Sequence, residues 1–150
     1  RLRHWNRLYG RRGFLQYQLV LPQAEGLRAI LERVAAAGQG SFLSVLKQFG
    51  PGNDHLLSFP RSGYTLALDF KVSAGALTLL EQLDAIVREH GGRLYLAKDA
   101  RMSEAMFKSG YPNWPRFLEI KRQVDPDDRF TSLQARRLGL SARAARGTKS

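Results

Sequence analysis

The chain has 150 residues, 43% hydrophobic and 25% charged, a balance that supports one buried core and argues against a disordered chain or a repeat array. Its 24 Lys and Arg against 13 Asp and Glu leave a net charge of +11, which invites an anionic partner such as nucleic acid or a lipid surface. With no Cys there is neither a disulfide scaffold nor a zinc-thiolate site, and His4, His55 and His90 lack the spacing of a metal-binding helix.

Residues 14 to 21 alternate, so that Leu15, Tyr17, Leu19 and Leu21 share one face of a strand and Phe14, Gln16, Gln18 and Val20 the other; Pro22 ends it. Leu27, Ile30, Leu31 and Val34 then fall at helical spacing, with Gly38 as the stop. Ser41 to Phe49 reads as a second strand, Gly50 to Asp54 as a loop, and Tyr64 to Val72 as a third strand, antiparallel to the second. Leu79, Leu80, Leu83, Ile86 and Val87 define a second amphipathic helix, Gly91 and Gly92 stop it, and Arg93 to Ala97 reads as the fourth strand, delivering Lys98 and Asp99 to a sheet edge. Further helices are expected over Ser103 to Gly110 and Trp114 to Val124. A last short one fits Thr131 as N-cap and Gly139 just past its end.

This succession predicts an α+β fold: a ferredoxin-like βαββαβ antiparallel sheet with both helices on one face, plus extra C-terminal helices. The other sheet face is left to bind something. Period two sends Gln16, Gln18, Thr65, Ala67 and Asp69 to that face and Tyr64, Leu66, Leu68 and Phe70 to the core. Lys47 shares a side with Leu43 and Val45, but the pattern does not say which face that is. Amides, a hydroxyl and one or two lysines on one surface suit a hydroxyl-rich or phosphate-bearing ligand; an ordinary solvated sheet face has the same composition. Asp125, Asp127 and Asp128 surround Pro126 and read as cap and turn residues, Glu104 as solvated, and Trp114 and Phe117 as core. No nucleophile elbow, dinucleotide fingerprint or phosphate-binding loop is present.

Several blocks, in order, resemble one flavoenzyme group. They are Trp5 to Gln18, Phe42 to Gly50, Leu57 to Pro60, Leu68-Asp69-Phe70, Gly92 to Asp99, Tyr111-Pro112, Asp125-Pro126, Phe130 and Arg136 to Leu140. The group is the oxidase subunit of decaprenylphosphoryl-ribose 2′-epimerase, within the vanillyl-alcohol-oxidase-like FAD-dependent oxidoreductases. The resemblance implies that residues 1–140 form the substrate (cap) domain of a flavin oxidoreductase. The N-terminal FAD-binding domain is absent from this chain, which begins without Met in what reads as mid-domain sequence. It further implies oxidation of a secondary sugar hydroxyl by hydride transfer to FAD, with the cofactor held mainly by that other domain and this chain inactive alone.

By the same resemblance Lys98 is the catalytic and cofactor-contacting cation at the pyrimidine edge of the flavin, and Tyr95 lies beside the ring. Gln16, Gln18, Lys47 and Thr65 line the sugar-phosphate pocket, with Leu43, Val45 and Ala67 as its apolar wall. The family also admits Asn or Cys where Thr65 and Ala67 stand, so hydrogen bonding to the sugar differs here and thiol chemistry is excluded. The implied partners are the FAD-binding domain, a polyprenyl-phosphate-linked sugar and an epimerase reductase, with no metal. The basic segment 141–150 is expected to be a disordered tail, with peripheral contact to anionic lipid as an alternative role. No apolar run approaches the roughly 18 residues of a spanning helix and no signal-peptide core follows Arg1 to Trp5, so a cytoplasmic or peripherally membrane-associated location is expected. The competing function is a basic RNA-binding module; it would place aromatics on the exposed face of the central strands, where Gln16, Gln18, Thr65 and Ala67 stand instead.

Overall fold

The computed structural model describes residues 13–39, 41 and 44–142. It is an α+β arrangement in which strand β1 (Phe14–Leu21) is followed by helix α1 (Ala24–Ala36), the hairpin β2 (Ser44–Phe49) and β3 (Gly63–Lys71), helix α2 (Ala74–Glu89) and β4 (Arg93–Leu94). The sheet order is β2-β3-β1-β4, with each neighbouring pair antiparallel. After a 3₁₀ turn (Leu96–Lys98) come α3 (Glu104–Gly110), α4 (Trp114–Val124) and α5 (Leu133–Arg137).

Alternation decides which side of the sheet is buried. Tyr17, Leu19 and Leu21 of β1 and Leu66, Leu68 and Phe70 of β3 meet Ile30 of α1 and Leu79, Leu80, Leu83 and Val87 of α2 in one core, joined by Met102, Met106, Phe107, Tyr111 and Leu138 from the C-terminal segment. Helix α2 starts at Ser73, whose hydroxyl accepts from the Ala76 N–H, and stops at Gly91 with φ +64°. Helices α1 and α2 pack chiefly over β1 and β3, so Leu46 on the edge strand is 56% exposed although its register partner Leu66 is buried. Leu31 of α1 is also exposed, at the outer margin of the apolar stripe expected for that helix.

Four boundaries differ from the sequence expectation. The second strand begins at Ser44 among the described residues; Ser41 lies outside the ladder, where its hydroxyl accepts from the Asp69 N–H. The third runs from Gly63 to Lys71 rather than Tyr64 to Val72. The N-cap of α5 is Ser132, not Thr131, because the Ser132 hydroxyl is the one that accepts from the Ala135 N–H.

The fourth strand is the largest correction. It spans two residues instead of five: Tyr95 still donates its N–H to Gln18 O (2.8 Å), but Lys98 N–H then turns back to Tyr95 O (3.1 Å) and Asp99 N–H to Leu96 O (3.2 Å). Lys98 is therefore carried by a tight turn at the sheet edge and not by a strand.

Candidate functional site

The face opposite the helices is organised in rows across the strands, because directly paired residues share a side. One row is Lys47, Thr65, Val20 and Arg93; the next is Val45, Ala67, Gln18 and, through the Tyr95-to-Gln18 hydrogen bond, Tyr95; the third contains Asp69 and Gln16. This register settles the side of Lys47, which sequence left open: it lies with Thr65 and Ala67 on the face away from the helices. Five residues expected to line a pocket, and Tyr95, expected beside the flavin, are thus brought onto two adjacent rows, with Gln16 on the third. Leu43 lies outside the described residues.

The face is not uniformly open. Loop 50–62 folds across one end of it, where Phe59 stacks on Tyr95 (centroids 4.5 Å) and meets Phe49 edge-on (6.0 Å). Arg93 anchors the loop through Nη1 to Ser58 O (2.8 Å), and Arg61 through Nη1 to Gly91 O (2.8 Å). Val20 and Thr65, the central members of the first row, are consequently buried. The Thr65 hydroxyl donates to Leu19 O at 2.9 Å and receives Gln18 Nε2 at 3.4 Å. It holds the Gln18 amide in place and is itself withdrawn from solvent, which corrects its expected exposed position. Asp69, expected on the exposed face as well, is on that side but also buried.

At the β1–β4 edge a small crevice is lined by Gln16, Gln18 and Tyr95 of the open face, by Leu15, Tyr17 and Leu80 of the helix side, and by Lys98 and Arg101 of the turn. Lys98 is exposed, and its ammonium makes no hydrogen bond or ion pair among the described residues, which leaves it available to an anion. Its neighbour Asp99 behaves oppositely. The Asp99 side chain is 4% exposed; Oδ1 accepts from the N–H groups of Arg101 (2.8 Å) and Met102 (2.5 Å), and Oδ2 from Arg137 Nη2 (2.8 Å) and Gln134 Nε2 (3.3 Å). Burial alone raises its pKa, but Arg137 and the backbone donors outweigh that and hold the carboxyl below its ordinary value.

Beneath the crevice, Tyr17 donates its hydroxyl to Asp84 Oδ1 (2.9 Å), and Arg101 clamps the same carboxylate with Nη1 to Oδ2 (2.9 Å) and Nη2 to Oδ1 (2.7 Å). Burial pushes Asp84 up despite Arg101, and pushes the Tyr17 phenol well above its usual range. Nothing in the sequence marks this trio, whose members are scattered over β1, α2 and the turn after Asp99. Asp125 and Asp128 form a separate turn cluster. Asp125 accepts from Arg129 N (2.8 Å) and Phe130 N (2.9 Å), and Lys121 pairs with both carboxylates. Their expected turn role holds. Glu104, expected to be solvated, is half-buried and paired with Lys108 (2.6 Å), whose ammonium also lies 4.2 Å from the Trp114 ring centroid. Among the described residues no group of three His, Asp or Glu is placed to hold a metal ion, and no helix is long and apolar enough to cross a membrane.

A cation, two amides and an aromatic ring line the crevice, a donor set compatible with a polar or anionic group, and no glycine is among its lining residues. Fold and site together define an α+β domain with one sheet face packed by helices and polar side chains gathered on the other. Residues 64–138, half of the chain, match the family model of D-arabinono-1,4-lactone oxidase, and the chain belongs to that family. The matched segment includes Thr65, Ala67, Tyr95, Lys98 and the Asp99–Arg137 pair. Over 138 residues the chain is 46% identical to the decaprenylphosphoryl-β-D-ribose oxidase of Mycolicibacterium smegmatis, covering 91% of this chain and 30% of that protein. It is 43% identical over 115 residues to a Streptomyces coelicolor protein described as an uncharacterized protein in the mprA 5′ region, covering 76% of this chain and 31% of the relative. The chain spans about three-tenths of the length of these curated relatives.

Proposed function

We propose that this chain is the substrate-facing part of an FAD-linked oxidase that converts a secondary hydroxyl of a polyprenyl-phosphate-linked pentose to a ketone. Residues 1–140 form the cap, and the bulk of the FAD-binding domain lies elsewhere in the same protein. The observation that carries this reading is the convergence of Gln16, Gln18, Val45, Lys47, Ala67 and Tyr95 on neighbouring rows of one sheet face, with Lys98, unpaired among the described residues, at its edge. The name and 46% identity of the mycobacterial relative support the substrate class.

FAD, when bound, supplies the two-electron acceptor. The chain's own residues bind and orient. Lys98 presents a fixed positive charge where the pyrimidine edge of the flavin gains electron density, and its electrostatic contribution grows as negative charge develops there. Tyr95, one face already stacked on Phe59, offers its remaining surface beside the ring. The amides of Gln16 and Gln18 hydrogen-bond sugar hydroxyls, Thr65 keeps Gln18 oriented, Lys47 meets the phosphate, and Val45 and Ala67 supply the apolar wall. The packing of Phe59 against both Phe49 and Tyr95 supports this reading over an RNA-binding face, which needs rings free for base stacking. An epimerase reductase that consumes the ketone and peripheral contact with anionic lipid, the source of a polyprenyl substrate, complete the proposal.

The test is anaerobic flavin reduction in the full-length, FAD-loaded protein with a polyprenyl-phosphoryl pentose. Lys98→Met is expected to lower the reduction rate by about 30- to 1000-fold, corresponding to roughly 2–4 kcal/mol for one electrostatic stabiliser. A reduction rate equal to the wild type removes Lys98 from the chemistry.

A further inference from the structure

Lys98 sits on a turn with only three residues of 3₁₀ helix and no strand beyond Leu94 to stiffen it. What fixes the turn comes from α5, more than thirty residues later. Gln134 Nε2 donates to Leu96 O (2.8 Å) at the start of the turn and to Asp99 Oδ2 at its end; Arg137 donates Nη2 to Asp99 Oδ2 and Nη1 to Met102 O (2.5 Å) just beyond. Asp99 in turn ties down the two N–H groups that follow it. The carboxylate that adjoins the free ammonium in sequence is thus turned inward and spent on four donors, while the ammonium projects outward.

We propose that Asp99, gripped by Gln134 and Arg137 of α5, is the positioning residue for Lys98. On this reading the C-terminal helix sets where the cation stands at the crevice. The proposal rests on the role given to Lys98 above, and extends it to Gln134 and Arg137, which do not line the crevice, and to Asp99, whose carboxylate is turned inward onto them. A misplacement on the order of 1 Å at a reacting group can cost about 10²-fold in rate. Loosening the clamp should therefore slow the chemistry without removing the lysine.

The experiment is a double-mutant cycle in the full-length, FAD-loaded protein, with Asp99→Asn, Lys98→Met and the pair, read by anaerobic flavin reduction with the polyprenyl-phosphoryl pentose and by amide hydrogen exchange. Asp99→Asn is expected to slow reduction by at least about tenfold, and the double variant to be no slower than Lys98→Met alone, because the clamp acts only through the lysine. Losses that multiply would mean that Asp99 supports the fold generally and would overturn the proposal. Exchange should accelerate by about tenfold or more across residues 96–102 while α2 keeps its protection; unchanged exchange there overturns the proposal as well. Should Lys98→Met reduce its flavin at the wild-type rate, the catalytic reading fails, and the exchange result alone then decides whether the clamp positions this turn. If Asp99→Asn does not fold, Gln134→Ala takes its place, removing the bonds to Leu96 O and Asp99 while keeping the Arg137 ion pair.

Discussion

Replacing Arg101 by Met should expose how much of this fold depends on the polar trio under the crevice. Arg101 and Asp84 have side chains 20% and 14% exposed, and the guanidinium makes two bonds to the carboxylate and a third, Nη2 to Leu80 O at 2.9 Å. Methionine keeps the aliphatic length and strips the charge, leaving Asp84 partly buried with, among the described residues, only the Tyr17 hydroxyl as a partner. Breaking a fully buried pair from one side costs about 3–5 kcal/mol. Residual solvent contact lowers that figure, and so does Arg101 Nε, which is buried without a hydrogen-bond partner among the described residues. The expected loss is about 2–3 kcal/mol, or roughly 4–12 °C in Tm for a protein of this size. Thermal and urea unfolding should be measured for Arg101→Met, Asp84→Asn and the double variant. Once Asp84 is neutral the arginine's removal should hurt less, so the double variant should recover at least about 1 kcal/mol relative to the sum of the singles. A single variant within about 0.5 kcal/mol of wild type, or strict additivity, would refute the claim that this pair is energetically coupled.

Gly63→Ala should unfold the chain or shift its midpoint severely: φ is +139°, and an added Cβ would stand 2.1 Å from Leu21 O, a backbone atom of the central strand that cannot give way; near-native stability in urea would contradict that packing. Acid should destabilise the protein through Asp99, Asp125 and Asp128, whose folded pKa values are depressed, so that their contribution is present above the ordinary value of about 3.9 and is lost as pH falls through the lower folded values. Asp84 is shifted upward and acts in the opposite sense, its contribution being full below its unfolded pKa and lost as pH rises through the folded value. Urea midpoints measured between about pH 2 and 6 should therefore fall toward the acid end, and less steeply in Asp99→Asn; equal slopes would refute the assignment. Tyr111, whose hydroxyl donates to Leu94 O at 2.7 Å, has its pKa pushed by burial to about 12. Its phenol should stay protonated in ultraviolet difference titrations below that pH, and Tyr111→Phe should cost about 1 kcal/mol by leaving the Leu94 carbonyl unpaired.

Local pattern determined a good deal by itself. Alternation in Phe14–Leu21 and across Tyr64 to Phe70 assigned each side chain to the core or the opposite face, and the 3.6-residue spacing of Leu79, Leu80, Leu83 and Val87 assigned α2, because both periods are properties of the backbone that neighbours seldom override when a core is to be buried. The blocks around Lys98 pointed to a flavin-linked family from sequence alone, and the family match over residues 64–138 agrees.

Tertiary structure decided the rest. Which way Lys47 faces depends on strand register, a relation between two segments that neither encodes alone. That Thr65 is buried depends on a loop returning Phe59 across the sheet to Tyr95. The turn that replaces the rest of the fourth strand is held at Asp99 by Gln134 and Arg137, donors far along the chain whose arrival no local propensity announces. Periodicity reports how a segment meets a surface; the placement of individual charges at the crevice follows from long-range hydrogen bonds, which form only once the surfaces have met.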